Sequence, residues 1–340
     1  MKLTKFKELF NIFKENIFDF YLNNPISEKF KLQKIDKRLV VVDIDKVKEI
    51  TVEHYIKKNK VFINTENVKF NQILENFINV MNSNFDEEDL KSLYDNIIWV
   101  TFKRYISNKY DGEYKPIDNI VRAFNEDDIG SINHELLHMS ANPYDEKSDN
   151  GGFSHKIDKY IIGYGIDEGY TELLNKRYFN SKTKYIYKLQ IDVCKHLEKL
   201  IGQKQMEKMY LNGNLFGLIK SLKQIYDVKE IERFIAAVDF THDYDNIELL
   251  ADCEIETLYT QIETIVIFLF KGYCKKLLNK NLPVEILEEL LYLYLNKMIT
   301  EFEFPVDQFI IDELNKIVQE NVNKNIKLDI NSFKDRKNVL

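Results

Sequence analysis

Cysteine is almost missing from this chain: Cys194, Cys253 and Cys274 are the only three among 340 residues, and no two are closely spaced. An odd, scattered set excludes a disulfide framework and a C-x-x-C zinc site, and it fits a reducing compartment. Proline (five) and glycine (eleven) are also sparse, and no low-complexity linker or internal repeat is visible. Long apolar stretches are lacking as well. The run Ile265 to Phe270 is far too short to span a bilayer, so no transmembrane segment is expected. Met1 to Tyr21 has neither the unbroken apolar core nor the small-residue cleavage site of a signal peptide. It reads instead as an amphipathic helix with Phe6, Phe10, Phe13, Ile17 and Tyr21 on one stripe. A cytoplasmic location follows as the expectation. Finally, no basic stripe stands out: the net charge is −7 and the lysines are interleaved with acids, which argues against a nucleic-acid partner.

The chain is rich in core-forming residues. Hydrophobic residues make up 44% and aromatics 13%, enough to bury a substantial core and to exclude disorder. The length suits one large domain or two small ones. Seven of the eleven glycines fall between Gly112 and Gly169, which marks that region as the one needing turns and close backbone approach.

That glycine-rich region also holds the most informative motif, His134-Glu135-Leu136-Leu137-His138. On an α-helix, side chains four apart share one face one turn above each other, so two imidazoles spaced this way can reach a single Zn²⁺ at about 2.0–2.1 Å. Glu135, to one side, would be a general base acting on water rather than a ligand. The flanks support a helix. Asp127 and Asp128 are N-cap candidates, Ile132, Leu136, Leu137 and Met139 supply a buried face, and Asn142-Pro143 ends it.

Zinc needs a third protein ligand and an open fourth position. One class of H-E-x-x-H proteins requires glycine at position 141 and histidine at position 144; this chain has Ala141 and Tyr144, which excludes it. Another class takes a glutamate from a second helix. Glu168, thirty residues after His138, stands at a plausible helix start in Gly165-Ile166-Asp167-Glu168-Gly169-Tyr170-Thr171-Glu172. There the helix dipole favours an ionised carboxylate. Asp167, which also reads as that helix's cap, and His155 are the alternative third ligands. His196 reads as a half-buried structural residue, and His54 and His242 carry no local signal.

With these two segments the chain resembles the gluzincin metallopeptidases, the H-E-x-x-H zincins whose third ligand is a glutamate. The resemblance covers roughly residues 95–180. It implies that His134, His138 and Glu168 bind one Zn²⁺ and that Glu135 is the catalytic base. It further implies that Glu172, one turn after Glu168, hydrogen-bonds a zinc-ligating histidine and fixes its orientation. Asp167 departs from the asparagine that several of these families have. The implied activity is hydrolysis of a peptide or protein substrate by Glu-assisted attack of a zinc-bound water. A catalytically inactive zincin-like binding or scaffold module is the alternative. Tyr164, Tyr170, His155, His242 and Tyr244 are candidates for the group that steadies the oxyanion.

The expected fold class is α+β and zincin-like: a mixed sheet plus an active-site helix, followed by a mostly α-helical C-terminal part. The expected organisation is an N-terminal helix and mixed α/β region over 1–125, a zinc-binding helix pair over 126–180 and a helical region over 181–340. Strands are expected over 38–45, 50–56 and 61–64, and in the ambiguous stretch 96–106. Helices are expected over 67–83 and 86–94, and a hairpin over 114–124 whose second strand, Ile120 to Phe124, is the candidate substrate-binding edge. Beyond residue 181, helical periodicity runs through 183–200, 203–226, 228–239, 246–278, 283–300 and 305–320.

Overall fold

The computed structural model describes residues 39–49, 67–104, 112–143, 150–181, 187–242, 252–278, 280, 282–303, 308–323 and 325–329. The architecture is mixed α+β and mostly helical, with small sheets. Two compact units are resolved, one of Val42–Ile235 and one that takes in Ala236–Leu340.

Residues 39–43 form no strand, and the first unit, which starts at Val42, opens with a 3-10 turn over Ile44–Lys46. The strand expected over 38–45 is therefore not formed. The β-branched run is outweighed by Asp43, whose side chain accepts from the Asp45 N–H and sets the turn. The expected strands over 50–56 and 61–64, and the amphipathic N-terminal segment, lie outside the described residues. Helix α1, Val68–Asn84, starts where the Asn67 side chain accepts from the Phe70 N–H. It buries Phe70, Ile73, Leu74, Phe77 and Met81, the i, i+3, i+4 pattern of one face. A 3-10 turn, Glu87–Leu90, leads into α2, Lys91–Ile97.

Strand β1, Thr101–Arg104, resolves the ambiguous stretch: the helix takes its first two residues and the strand begins after Val100. Strand β2, Gly112–Lys115, and β3, Ile120–Ala123, form the expected hairpin. The sheet order is β1-β3-β2, with β1 parallel and β2 antiparallel to β3. Strand β3 is thus paired on both sides and cannot be the free edge assigned to Ile120–Phe124. The reason is β1, whose parallel pairing fills the other side of β3. Among the described residues the outer strands of this sheet are β1 and β2.

Helix α3, Ile129–Ser140, carries the histidine motif. Asp128 is its N-cap, its side chain accepting from the Ser131 N–H at 3.2 Å. Ile132, Leu136, Leu137 and Met139 are all fully buried, so the helix is fixed on its apolar side. A short hairpin not foreseen from the sequence, β4 His155–Ile157 with β5 Tyr160–Ile162, precedes helix α4, Tyr164–Phe179. Three-residue strands carry too little alternation to be legible.

Helix α4 is anchored from behind by α5, Lys188–Ile201, and α6, Gln203–Leu211. Arg177 forks onto Glu198 with bonds of 2.8 and 2.7 Å, and the Tyr170 hydroxyl donates to the same carboxylate at 2.9 Å. Arg177, Tyr178 and Gln203 all donate to Glu207. Such bidentate, charge-assisted contacts fix both rotation and height of a helix. Helices α7, Leu215–Leu222, and α8, Val228–His242, follow.

The second unit is built of α9, Asp252–Leu278, α10, Val284–Phe302, and α11, Gln308–Asn321. Pro283 stands immediately before α10, as expected for a helix start, while Pro305 lies outside the described residues. Tyr273 and Tyr294 stack at 3.7 Å between α9 and α10. Asn315 clasps the Leu328 backbone through both its amide oxygen and its amide nitrogen. Among the described residues no helix is long and apolar enough to cross a membrane.

Candidate metal centre

Helices α3 and α4 bring His134, His138 and Glu168 together, each offering a ligand atom within 4.8 Å of the others. The two Nε2 atoms are 3.1 Å apart. Glu168 Oε2 is 3.1 Å from His134 Nε2, and Oε1 is 3.5 Å from His138 Nε2. Tetrahedral ligands about 2.0–2.1 Å from a zinc ion lie roughly 3.3 Å from one another. The spacing of the three donors matches that value without any side chain having to move far. Two imidazole nitrogens and one carboxylate are also the donor chemistry of a zinc or similar transition-metal site. The cluster can therefore hold a metal ion.

The outward ring nitrogens are occupied too. His134 Nδ1 is 3.0 Å from Glu172 Oε2, and His138 Nδ1 is 3.2 Å from Asp167 Oδ2. Each imidazole is thus gripped by a carboxylate on one nitrogen and presents the other to the centre, the arrangement that fixes tautomer and ring orientation in metal sites. Glu172 is 3% exposed and so belongs to the buried centre. It also accepts from Asn175 at 3.1 Å and pairs with Lys176 at 3.5 Å, so one carboxylate serves three partners.

Asp167 requires two corrections. It is not the cap of α4: the helix begins at Tyr164 after Gly163 in the left-handed region, so Asp167 lies within the first turn and Glu168 follows one residue later. Nor is it one of the three converging ligands, because its second oxygen accepts from the Phe153 N–H at 2.7 Å while the first faces His138 Nδ1. Gly152 makes this possible. Its φ is +53°, and a Cβ there would stand 1.9 Å from Asp167 Oδ1. Only glycine lets the loop backbone come this close.

Glu135 is buried at 8% exposure and lies beside strand β2. Burial pushes its carboxyl up to about 7, with the two imidazoles and the Tyr114 N–H acting in the opposite direction. A base poised near neutrality is suited to taking and returning a proton. Burial alone would lower His134, but hydrogen bonds to Glu168 and Glu172 raise it to about 9. Burial would raise Glu168, but the His138 charge and bonds from both rings hold it well below the usual carboxylate range.

Of the remaining sequence candidates, Tyr164 hydrogen-bonds Glu168 and is held well above the usual tyrosine range, first by burial and then by the Glu168 charge. Tyr170 is committed to Glu198 on the far side of α4. His155 is half-buried on β4, outside the converging trio, and His196 is fully buried on α5 rather than half-buried. His242 ends α8 in the second unit, and Tyr244 and His54 lie outside the described residues. Sequence reasoning missed Tyr187, whose ring lies 6.1 Å from that of His134. Its φ of +63° is unusual for a non-glycine residue, but nothing in the local sequence signals it.

Glu172→Gln is expected to weaken metal retention against a competing chelator by about 10–100-fold. Chelator titration of the purified variant measures this. Wild-type retention would show that the contact with His134 does nothing for the metal.

No family model, curated protein or solved structure matches the chain, so the centre rests on its own geometry.

Proposed function

We propose that the protein is a zinc-dependent peptidase of the gluzincin type. The observation that carries the reading is the convergence of His134, His138 and Glu168 at tetrahedral ligand spacing, with Glu135 alongside. Those three residues would hold the ion. Zinc would supply Lewis acidity, polarising a peptide carbonyl and making bound water more acidic. Glu135 takes the proton from the attacking water and returns it to the departing amine. Tyr164, whose hydroxyl meets Glu168, is a candidate donor to the developing oxyanion. Strand β2, an edge of its sheet beside Glu135, suits an extended peptide that adds as a further strand.

Elemental analysis of purified protein, followed by cleavage profiling on a diverse peptide library, tests the proposal. About one zinc per chain and a reproducible cleavage pattern are expected. Stoichiometric zinc with no cleavage would replace the peptidase by a zincin-like binding module. A chain without metal would remove both.

Zinc uptake should also depend on pH in a defined sense. Without the ion, His134 holds its proton up to about 9, and that proton must leave before the ring can ligate. Apparent zinc affinity should therefore rise with pH across 6 to 9, by up to about tenfold per pH unit for each proton displaced. Chelator competition at several pH values, with calorimetry in buffers of different ionisation enthalpy, reads both the slope and the proton count. A flat profile would contradict a protonated His134 in the metal-free centre.

A further inference from the structure

Behind the centre lies a second buried network that touches none of the three converging donors. Asn96, at the end of α2, donates its side-chain amide to the Met139 carbonyl at 3.0 Å and to the Asn142 carbonyl at 2.8 Å. The first is in the last turn of α3, where it also accepts from the Asn142 N–H at 3.3 Å, and the second lies just past the helix end, so Asn96 ties α2 to the point where α3 stops. The Asn96 backbone carbonyl accepts from the side-chain amide of Asn119 at 2.7 Å. Asn119 closes the β2–β3 turn with a φ of +49°, and its amide oxygen accepts from the Tyr114 hydroxyl at 3.0 Å. Asn96 is 2% exposed and Asn119 is fully buried. Tyr114 then returns to the centre through its backbone, its N–H donating to the Glu135 carboxylate.

We propose that Asn96, Asn119 and Tyr114 form a positioning relay that keys the β2–β3 hairpin to the end of α3 and thereby holds Glu135 in its working orientation. The inference rests on Glu135 being the base of the proposed peptidase. Nothing covalent stops the hairpin from sliding over α3. Buried amides left without partners are costly, so a network in which the Asn96 and Asn119 amide nitrogens are both paired selects one hairpin position over its neighbours. The tolerance is small at this strand. A Cβ on Gly112 would stand 2.7 Å from Glu135 Oε1, so the β2 backbone and the carboxylate are already in close contact. A shift of a few tenths of an ångström in β2 would be passed directly to Glu135. Asn96 and Asn119 act through other residues, as does the Tyr114 side chain; they are positioning residues.

Two substitutions separate this role from a general contribution to stability. Tyr114→Phe removes only the hydroxyl that reaches Asn119. Asn119→Gly removes the amide, while glycine accepts the left-handed φ without strain, so the turn itself survives. Three quantities are measured on the full chain: zinc affinity by chelator competition, kcat and KM on a cleaved peptide, and hydrogen exchange of the Tyr114 amide. Each variant is expected to bind zinc within about twofold of wild type, with KM nearly unchanged and kcat lowered about ten- to a hundredfold. The Tyr114 amide is expected to exchange about tenfold faster. Wild-type kcat in both variants would overturn the relay, as would wild-type exchange at Tyr114. Zinc loss in parallel with kcat would also overturn it, because the network would then support the whole centre and not the base. A wild-type protein that cleaves no peptide sinks the peptidase reading separately, and exchange at Tyr114 then decides the relay alone.

Discussion

Glu135→Gln is expected to keep about one zinc per chain and to lose roughly 10²–10⁴ of the wild-type kcat. The substitution keeps the size of the side chain and leaves an oxygen for the Tyr114 N–H, so β2 stays in place. It removes the ability to take a proton, which is the role the buried carboxyl, raised to about 7, is suited to. The ligand set is untouched, because Glu135 is not among the three groups that converge on the centre. Zinc analysis and steady-state kinetics on one preparation read both halves. A variant retaining more than about a tenth of wild-type kcat would remove Glu135 from the role of base, since general-base contributions are rarely that small. A variant that lost zinc would place Glu135 among the ligands.

The centre was more legible than the fold around it, for reasons visible in particular residues. His134, His138 and Glu135 are tied by helical periodicity within five consecutive residues, and periodicity is the strongest local signal a sequence carries. Glu168 and Glu172 sit on a second helix at the same four-residue spacing, so the place of one fixes the place of the other. Asp167 was misread because a turn-rich stretch ending in an acidic residue looks like an N-cap. Gly163 starts the helix one turn earlier and turns Asp167 toward His138. The edge strand was misread because pairing on both sides of β3 is a tertiary fact. The alternation of Ile120–Ala123 is the same whether or not β1 lies alongside. The contact between Asn96 and Asn119 was invisible for the same reason, since the two are 23 residues apart and asparagine is common in loops and turns. Exclusions drawn from composition concern compartment and partner, and the described helices bear on one of them, the absence of a membrane-spanning helix.

Replacing the three converging residues should have the largest effect on metal binding, and the pattern across neighbouring carboxylates should identify which acid is the ligand. His134→Ala, His138→Ala and Glu168→Ala are each expected to lower zinc affinity by more than the roughly 10–100-fold that loss of an outer partner costs. Each removes one of the three donor atoms that would hold the ion and leaves only two. Asp167→Asn should stay within that 10–100-fold range. Its Oδ2 is 3.2 Å from His138 Nδ1, the nitrogen that points away from the centre, and its other oxygen is committed to the Phe153 N–H. An amide there loses the negative charge that makes the imidazole a better donor, but an oxygen remains to orient the ring. The histidine substitutions carry a second consequence. With either ring gone, Glu168 loses one of the bonds that keep its carboxyl well below the usual range, so burial is less fully offset. Chelator competition on all four variants, alongside thermal unfolding of the metal-free proteins, separates affinity from folding. If Asp167→Asn released zinc as completely as the histidine variants while Glu168→Ala held it at wild-type affinity, Asp167 would be the third ligand and the convergence of Glu168 on the two Nε2 atoms would be only an ion pair of the metal-free protein.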